Sequence, residues 1–294
     1  MLGAEISLLL ENAGLPFTGT DREVDITDQA ALTDFINKQE QPFTWIINCA
    51  AYTAVDKAED DKENCRLLNV EGAGNIASIA NKIGARFIHI STDYVFNGQG
   101  IRPYTEEDET DPIGVYGISK RDGEKKVLEE NLKSYIIRTS WLYGRHGTNF
   151  VRTMLRLMNE REIVSVVNDQ RGSPTWAYDL AAAVLELINA VDSGKDIPFG
   201  MYHYTNGGNC TWFDFAVEIY RQGRELGCIA KDCTVTPCTS AEYPSKVNRP
   251  AYSVLDTAKI KEALGISIPA WEESLKKFYK PVVFKRNDFD GKYL

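Results

Sequence analysis

The stretch "ARFIHIST", residues 85–92, is an Ile- and Phe-containing run that reads as a buried β-strand. Before it lies "VDKAEDDKENCRLLNVEGAGNIASIANKIG" (55–84), helical in character and stopped at Gly84. Before that, "PFTWIINCAA" (42–51) reads as a buried strand running into a small-residue turn. After it come an amphipathic helix, "YGISKRDGEKKVLEEN" (116–131), and a third strand with its exit, "SYIIRTSWLYG" (134–144). Strand, helix, strand, helix and strand in this order build βαβ units around a parallel sheet. The expected fold class is α/β, with a doubly wound parallel sheet.

The pattern loosens after about residue 165. "VVNDQRGSPTWAYDLA" reads as a loop entering a helix. "CTWFDFAVEIYRQGREL" (210–226) reads as a helix capped at Thr211, with Asp214 three residues on. "DCTVTPCTSAEYPSKVNRPAYSVLD" (232–256) is extended in character. The division expected is 1–165 for the sheet domain and 166–294 for a smaller mixed C-terminal region, with some segments returning to the sheet. Ligands bind at the carboxyl ends of strands in open α/β sheets, so the second region would supply substrate contacts.

Composition narrows the classes. The 294 residues carry a formal net charge of −9, so the chain as a whole repels nucleic acid and anionic membrane. No apolar run is long enough to span a bilayer, and the start lacks the basic segment of a signal peptide. The six cysteines form no CxxC pair, and none of the three histidines (His89, His146, His203) lies near the evenly spaced Cys228, Cys233 and Cys238. Reduced thiols in a cytoplasmic protein, without a structural metal, are the expectation.

Two features carry chemistry. In "YGISK", Tyr116 and Lys120 are four apart and share a helix face. A free tyrosine has a pKa near 10, and a nearby ammonium favours its phenolate. Such a pair can give a proton to a carbonyl oxygen or take one from an alcohol. In "HISTDYVFNG" (89–98), Ser91, Thr92 and Asp93 stand at the end of a buried strand, where a hydroxyl can hydrogen-bond a substrate carbonyl. Tyr-x-x-x-Lys alone is common. Strand-end hydroxyls followed about two dozen residues later by Tyr-x-x-x-Lys are far more specific.

With these residues the sequence resembles the extended short-chain dehydrogenase/reductases. Within them it is most similar to the dTDP-4-dehydrorhamnose reductase family, over nearly the whole chain. The carriers are "NCAAYTAVDKAE" (48–59), "LLNVEGAGNIA" (67–77), "STDYVFNG" (91–98), "YTEEDETDPIGVYGISKRDGE" (104–124), "IIRTSWLYG" (136–144), "NFVRTMLRL" (149–157), "VVNDQRGSPT" (166–175) and "NRPAYSVLD" (248–256). The resemblance implies a Rossmann-like sheet that binds NADPH or NADH, and reduction of the C4 carbonyl of dTDP-4-dehydro-L-rhamnose for surface polysaccharide synthesis. It implies that Tyr116 is the proton donor, that Lys120 lowers the Tyr116 pKa and holds the nicotinamide ribose, and that Thr92 holds the keto oxygen and Asp93 a sugar hydroxyl. Ala50, Ala51, Tyr52 and Thr53 would line the cofactor, Asp25 and Ile26 would flank the adenine, and Asn69 would be structural beside the active-site helix. Trp141 would contact the deoxysugar or its nucleotide, and Asn168, Gln170, Arg171 and Arg249 the nucleotide diphosphate. Asp21 would accept a ribose hydroxyl and favour NAD, whereas Arg22 would neutralise a 2′-phosphate. The chemistry needs no metal, and a magnesium ion at a subunit contact has no placeable ligands. The partner implied is a dTDP-sugar, not nucleic acid or membrane, and a homodimer is compatible with the family.

Alternatives stay open at this point. A sugar-nucleotide dehydratase carries Asp then Glu after the strand-end threonine, and here Tyr94 follows Asp93. Another nucleotide-sugar reductase or epimerase, or a non-catalytic subunit like the regulatory subunit of methionine adenosyltransferase, shares the fold. In the family pattern a strand and a Gly-x-x-Gly-x-x-Gly turn precede the first helix. "MLGAE" matches the tail of that motif, with Leu2 and Gly3 at the cofactor and Gly3 as the third glycine. The expectation is that the native protein extends upstream of Met1 and that the sheet shows an empty or rearranged edge.

Overall fold

Four parallel strands form the central sheet of the computed structural model, which describes residues 1–243 and 245–280. They are β1 (Trp45–Asn48), β2 (Arg86–Thr92), β3 (Ser134–Thr139) and β4 (Gly200–His203), hydrogen-bonded in that order. Successive side chains point to opposite faces. Ile46, Phe87, Ile136 and Met201 meet the apolar side of α2 (Ala73–Ile83) and Val127 of α3 (Val115–Glu130). Ile47, Ile88, Ile137 and Tyr202 meet α1 (Leu2–Asn12) and α4 (Ala177–Asp192). Covering both faces explains the nearly continuous apolar runs of β2 and β3 and makes the sheet doubly wound. Among the described residues β1 pairs on one side only, which makes it the sheet edge. There the Trp45 indole N–H donates to Asp192, and Arg86 lies over its ring at 5.3 Å.

Two segments depart from the expected elements. Residues 55–84 are not one helix: short helices Val55–Ala58 and Lys62–Arg66 lead into a π-helical turn, Leu67–Gly72, before α2. The wider turn carries Asn69 inward, where its side chain finds backbone partners; α2 then stops at Gly84, which adopts φ 75°. The expected loop after residue 166 holds paired strands instead. Arg171–Gly172 pairs antiparallel with Cys210–Thr211, and Thr175–Trp176 parallel with Leu142–Tyr143. The run Ile163–Val167 pairs in parallel with Thr234–Cys238, inside the stretch read as extended.

A second core lies beyond the sheet, with Tyr143, Leu155, Phe215, Ile219 and Trp271 at its centre. The helix Trp212–Glu225 starts as its sequence indicates. Thr211 Oγ1 accepts from Asp214 N at 3.0 Å, and the Asp214 carboxylate accepts from Thr211 N at 2.9 Å. After residue 166 the chain also supplies α4 and β4 to the central sheet, while 281–294 lie outside the described residues. All six cysteines are free, and among the described residues no helix is long and apolar enough to cross a membrane.

The seat of α3 positions the site. A Cβ on Gly117 would lie 2.2 Å from the Tyr94 carbonyl oxygen, and one on Gly123 would lie 2.1 Å from that of Asn69. Both contacts are with backbone, so only glycine lets the helix come this close. From its far side, Glu124 accepts two bonds from the Arg138 guanidinium, at 2.8 and 2.7 Å, with both side chains buried. Gly123→Ala is therefore expected to cost about 1–3 kcal/mol and to displace α3, seen as a lower denaturation midpoint. Arg138→Met strands a buried carboxylate and is expected to cost about 3–5 kcal/mol. An unfolding midpoint equal to that of the parent would show that the pair does not hold the helix.

Candidate active site

β2 delivers the first groups. Thr92 is its last residue, in extended conformation, and caps the one-turn helix Asp93–Val95 by accepting from Tyr94 N at 3.3 Å. Its hydroxyl donates to Asp93 Oδ1 at 3.1 Å and faces the Tyr116 phenol. Tyr116 stands in the first turn of α3, half-buried, with Tyr94 edge-on at 5.6 Å. Burial pushes the phenol above its ordinary range, opposed by the Thr92 hydroxyl beside it. Burial also pushes the Asp93 carboxyl up to about 6, opposed by the nearby Ser253 and Thr92 hydroxyls.

Lys120 follows one turn after Tyr116. Its Nζ donates to the Ile90 carbonyl at 2.7 Å and lies 3.3 Å from His89 Nε2. Burial pulls its pKa down to about 8. The expectation that Lys120 lowers the Tyr116 pKa is not met in this arrangement. The amine is turned toward β2, and desolvation, the largest influence on the phenol, moves it upward.

On the β1 side, the turn Ala50–Thr53 is held from beneath. Ala50 N donates to Asn48 Oδ1 at 2.9 Å, and Tyr52 N to Asn69 Oδ1 at 2.8 Å. Asn69 Nδ2 donates to the Tyr52 carbonyl at 3.1 Å and to Ser119 Oγ at 2.9 Å, and Ser119 Oγ donates to the Tyr116 carbonyl. One carboxamide thus ties this turn to α3. A Cβ on Gly3 would lie 3.7 Å from Cys49 Cβ, which brings the first turn of α1, without a side-chain cap, against the end of β1. Leu2 is buried in the core under it. Asp25 accepts from Thr27 N and Oγ1 at 2.8 and 2.7 Å, and Ile26 lies against Gly72 with its carbonyl bonded to Asn75. Asp21 is exposed, its N–H donating to Glu23.

The groups expected to meet substrate are spread over the C-terminal loops. Trp141 has φ 47°, rare for a bulky residue, and stacks on Trp212 at 3.5 Å between centroids. Gly172 makes room for that indole, since a Cβ there would lie 2.5 Å from it. Asn168 Oδ1 accepts from Thr211 Oγ1, Gln170 Nε2 donates to Ser240 Oγ, and Arg171 Nη1 donates to Asn209 Oδ1, each at 2.8 Å. Arg249 pairs with Asp56, just beyond Thr53, so the C-terminal segment reaches across to the β1 side. Sequence reasoning missed Ser253 and Trp212 as neighbours of the site. Ser253 lies within "NRPAYSVLD" and Trp212 directly after a helix cap, but neither spacing shows what it faces.

A hydroxyl and a phenol converge at a strand's carboxyl end, with a lysine one turn away, so this arrangement can hold and protonate a carbonyl oxygen. The sequence matches the family described as RmlD substrate binding domain over residues 1–284. It is 41% identical over 281 residues to a dTDP-4-dehydrorhamnose reductase of Streptomyces griseus, covering 95% of this chain and 90% of that one. A crystal structure of a dTDP-4-dehydrorhamnose reductase from Clostridium acetobutylicum superposes with TM-score 0.86 at 42% identity, covering 94% of each chain. The Bacillus anthracis enzyme of that name, solved in complex with NADP, superposes with TM-score 0.87 at 37% identity, covering 95% of this chain and 94% of that one. Fold, site and sequence together show that the chain belongs to the RmlD substrate binding domain family.

Proposed function

We propose that the protein is an NAD(P)H-dependent reductase that converts the C4 ketone of dTDP-4-dehydro-L-rhamnose to the alcohol, giving dTDP-L-rhamnose. The observation that carries this reading is the Thr92 hydroxyl facing the Tyr116 phenol at the carboxyl end of β2, in a chain whose relatives bear that reductase name. The turn Ala50–Thr53, braced by Asn48 and Asn69 at the end of β1, fits a nicotinamide dinucleotide. Lys120 and Ala50–Thr53 would hold its nicotinamide half. Asp25, Ile26 and Asp21 would hold the adenosine, and the first turn of α1, at Leu2 and Gly3, would face the phosphates. When bound, the reduced cofactor supplies hydride to the ketone carbon.

The protein's own part is at the oxygen. Thr92 and Tyr116 hydrogen-bond it, Tyr116 gives it a proton, and the Lys120 ammonium, swung toward the cleft, steadies the phenolate left behind. Asp93 would hold a neighbouring sugar hydroxyl. Trp141, backed by Trp212, would meet the deoxysugar, and Asn168, Gln170, Arg171 and Arg249 would lie along the nucleotide diphosphate. Substrate binding on this reading has to draw Arg249 away from Asp56 or share it. The work belongs in the cytoplasm, beside sugar nucleotides and reduced nicotinamides, and a homodimer would suit it.

Loss of reduced-cofactor absorbance on adding dTDP-4-dehydro-L-rhamnose, with NADPH or NADH, is the expected outcome, and Tyr116→Phe should lower kcat by about 10²–10⁴. No oxidation of either cofactor, together with tight binding to a partner protein, would sink the reductase reading in favour of a non-catalytic subunit. The pH dependence has a definite sign. Lys120 is charged below about 8 and neutral above it, so kcat/KM should fall as pH rises through that value. A profile that stays level through that range removes the Lys120 charge from the mechanism.

A further inference from the structure

Below Lys120 lies a line of buried polar side chains that the mechanism above leaves unused. Asn48 is 3% exposed, His89 1% and Lys120 2%. The Ala50 N–H donates to Asn48 Oδ1, which fixes the carboxamide: flipped, its NH₂ would meet that N–H donor to donor. Asn48 Nδ2 therefore faces His89 Nδ1 at 3.1 Å, and that ring nitrogen has to accept. Burial holds the imidazole well below its ordinary range, so it is uncharged and carries one N–H. That hydrogen is on Nε2, which faces Lys120 Nζ at 3.3 Å. A neutral amine can accept it, and an ammonium, which has no free lone pair, cannot.

His203 shows the opposite arrangement in the same sheet. Its Nδ1 faces the Tyr104 carbonyl at 3.1 Å, and its Nε2 faces Arg138 Nη1 at 3.4 Å. A carbonyl only accepts and a guanidinium only donates, so His203 carries its hydrogen on Nδ1. Each buried imidazole has its tautomer written by its neighbours.

We propose that His89 is a positioning residue for Lys120: held by Asn48 and the Ala50 backbone, it presents an N–H to Nζ, favours the uncharged amine inside, and leaves the ammonium to turn toward the cleft. The proposal rests on the reductase reading, in which Lys120 acts at the cleft. It links the turn Ala50–Thr53 to the lysine through two side chains. The other ionisable groups around Lys120 do not take over this role. Glu124 is bound twice by Arg138, and burial pushes the thiols of Cys49, to about 12, and Cys65 upward, so both stay uncharged. Tyr116, one turn earlier, is likewise pushed upward by burial.

Two measurements test it. Two-bond ¹H–¹⁵N spectra of the full chain, without cofactor or substrate, should show His89 as the Nε2–H tautomer and unchanged through neutral pH, with His203 as the Nδ1–H contrast. His89→Gln identifies the His89 signals by their loss. An Nδ1–H tautomer or an imidazolium at His89 overturns the proposal whether or not the protein is a reductase. In turnover, His89→Leu removes a donor to the neutral amine, so the alkaline limb of kcat/KM should move up by about one pH unit. KM for the sugar nucleotide should stay within about twofold. His89→Gln keeps a donor and should return part of the shift. A histidine that only fills space would alter thermal stability and leave the limb in place, and that result in a folded His89→Leu protein overturns the proposal. If His89→Leu does not fold, the tautomer decides alone. Absence of turnover in the parent protein would count against the reductase reading and leave the tautomer result standing.

Discussion

The site depends on how closely α3 can approach the backbone around it. At Gly117 the helix presses on the Tyr94 carbonyl, and at Gly123 on that of Asn69. The first contact sets the height of Tyr116 against Thr92, and the second brings the π-helical turn close enough for Asn69 to reach Ser119. Close packing transmits small displacements, so one methyl group at either glycine would move the phenol, the lysine and the turn after β1 together. The Glu124–Arg138 pair holds the same helix to β3 from the other side.

Once the helix is seated, desolvation governs the chemistry of its side chains. Burial is the largest influence on Tyr116, Lys120, Asp93 and His89 alike, and in each case it disfavours the charged form. Tyrosine and aspartic acid move up, while lysine and histidine move down. The result is a set of groups whose charged forms are held less firmly than in water, with Asp93, Lys120 and His89 each restrained by a specific hydrogen bond. On the proposed reading Tyr116 gives a proton and the Lys120 ammonium turns to the cleft from such a set, because little solvent competes for their partners.

The C-terminal loops are assembled differently. Arg171–Gly172, Cys210–Thr211 and the segment 251–253 hold one another through backbone hydrogen bonds, and Arg249 reaches across to Asp56. The residues carried over as diphosphate contacts are already bonded, Asn168 to Thr211, Gln170 to Ser240 and Arg171 to Asn209. They are held in place by their own loops, and Trp141 keeps its left-handed backbone between Trp212 and Gly172. Local spacing could not reveal these pairings, because each joins segments tens of residues apart.

The sequence by itself determined the alternation of strands and helices that builds the parallel sheet, and the capping of Trp212–Glu225 by Thr211 and Asp214. All of these follow from local periodicity, caps and short motifs whose meaning is fixed within a few residues. Only the tertiary structure decided that residues 67–72 widen into a π turn, that Lys120 turns to Ile90 and His89, that the phenol lies above its ordinary range, and that Ser253 and Trp212 belong to the site. The physical reason is common to all four. Burial, tautomer and hydrogen-bond partner are properties of what surrounds a side chain, and those surroundings exist only when distant segments have packed.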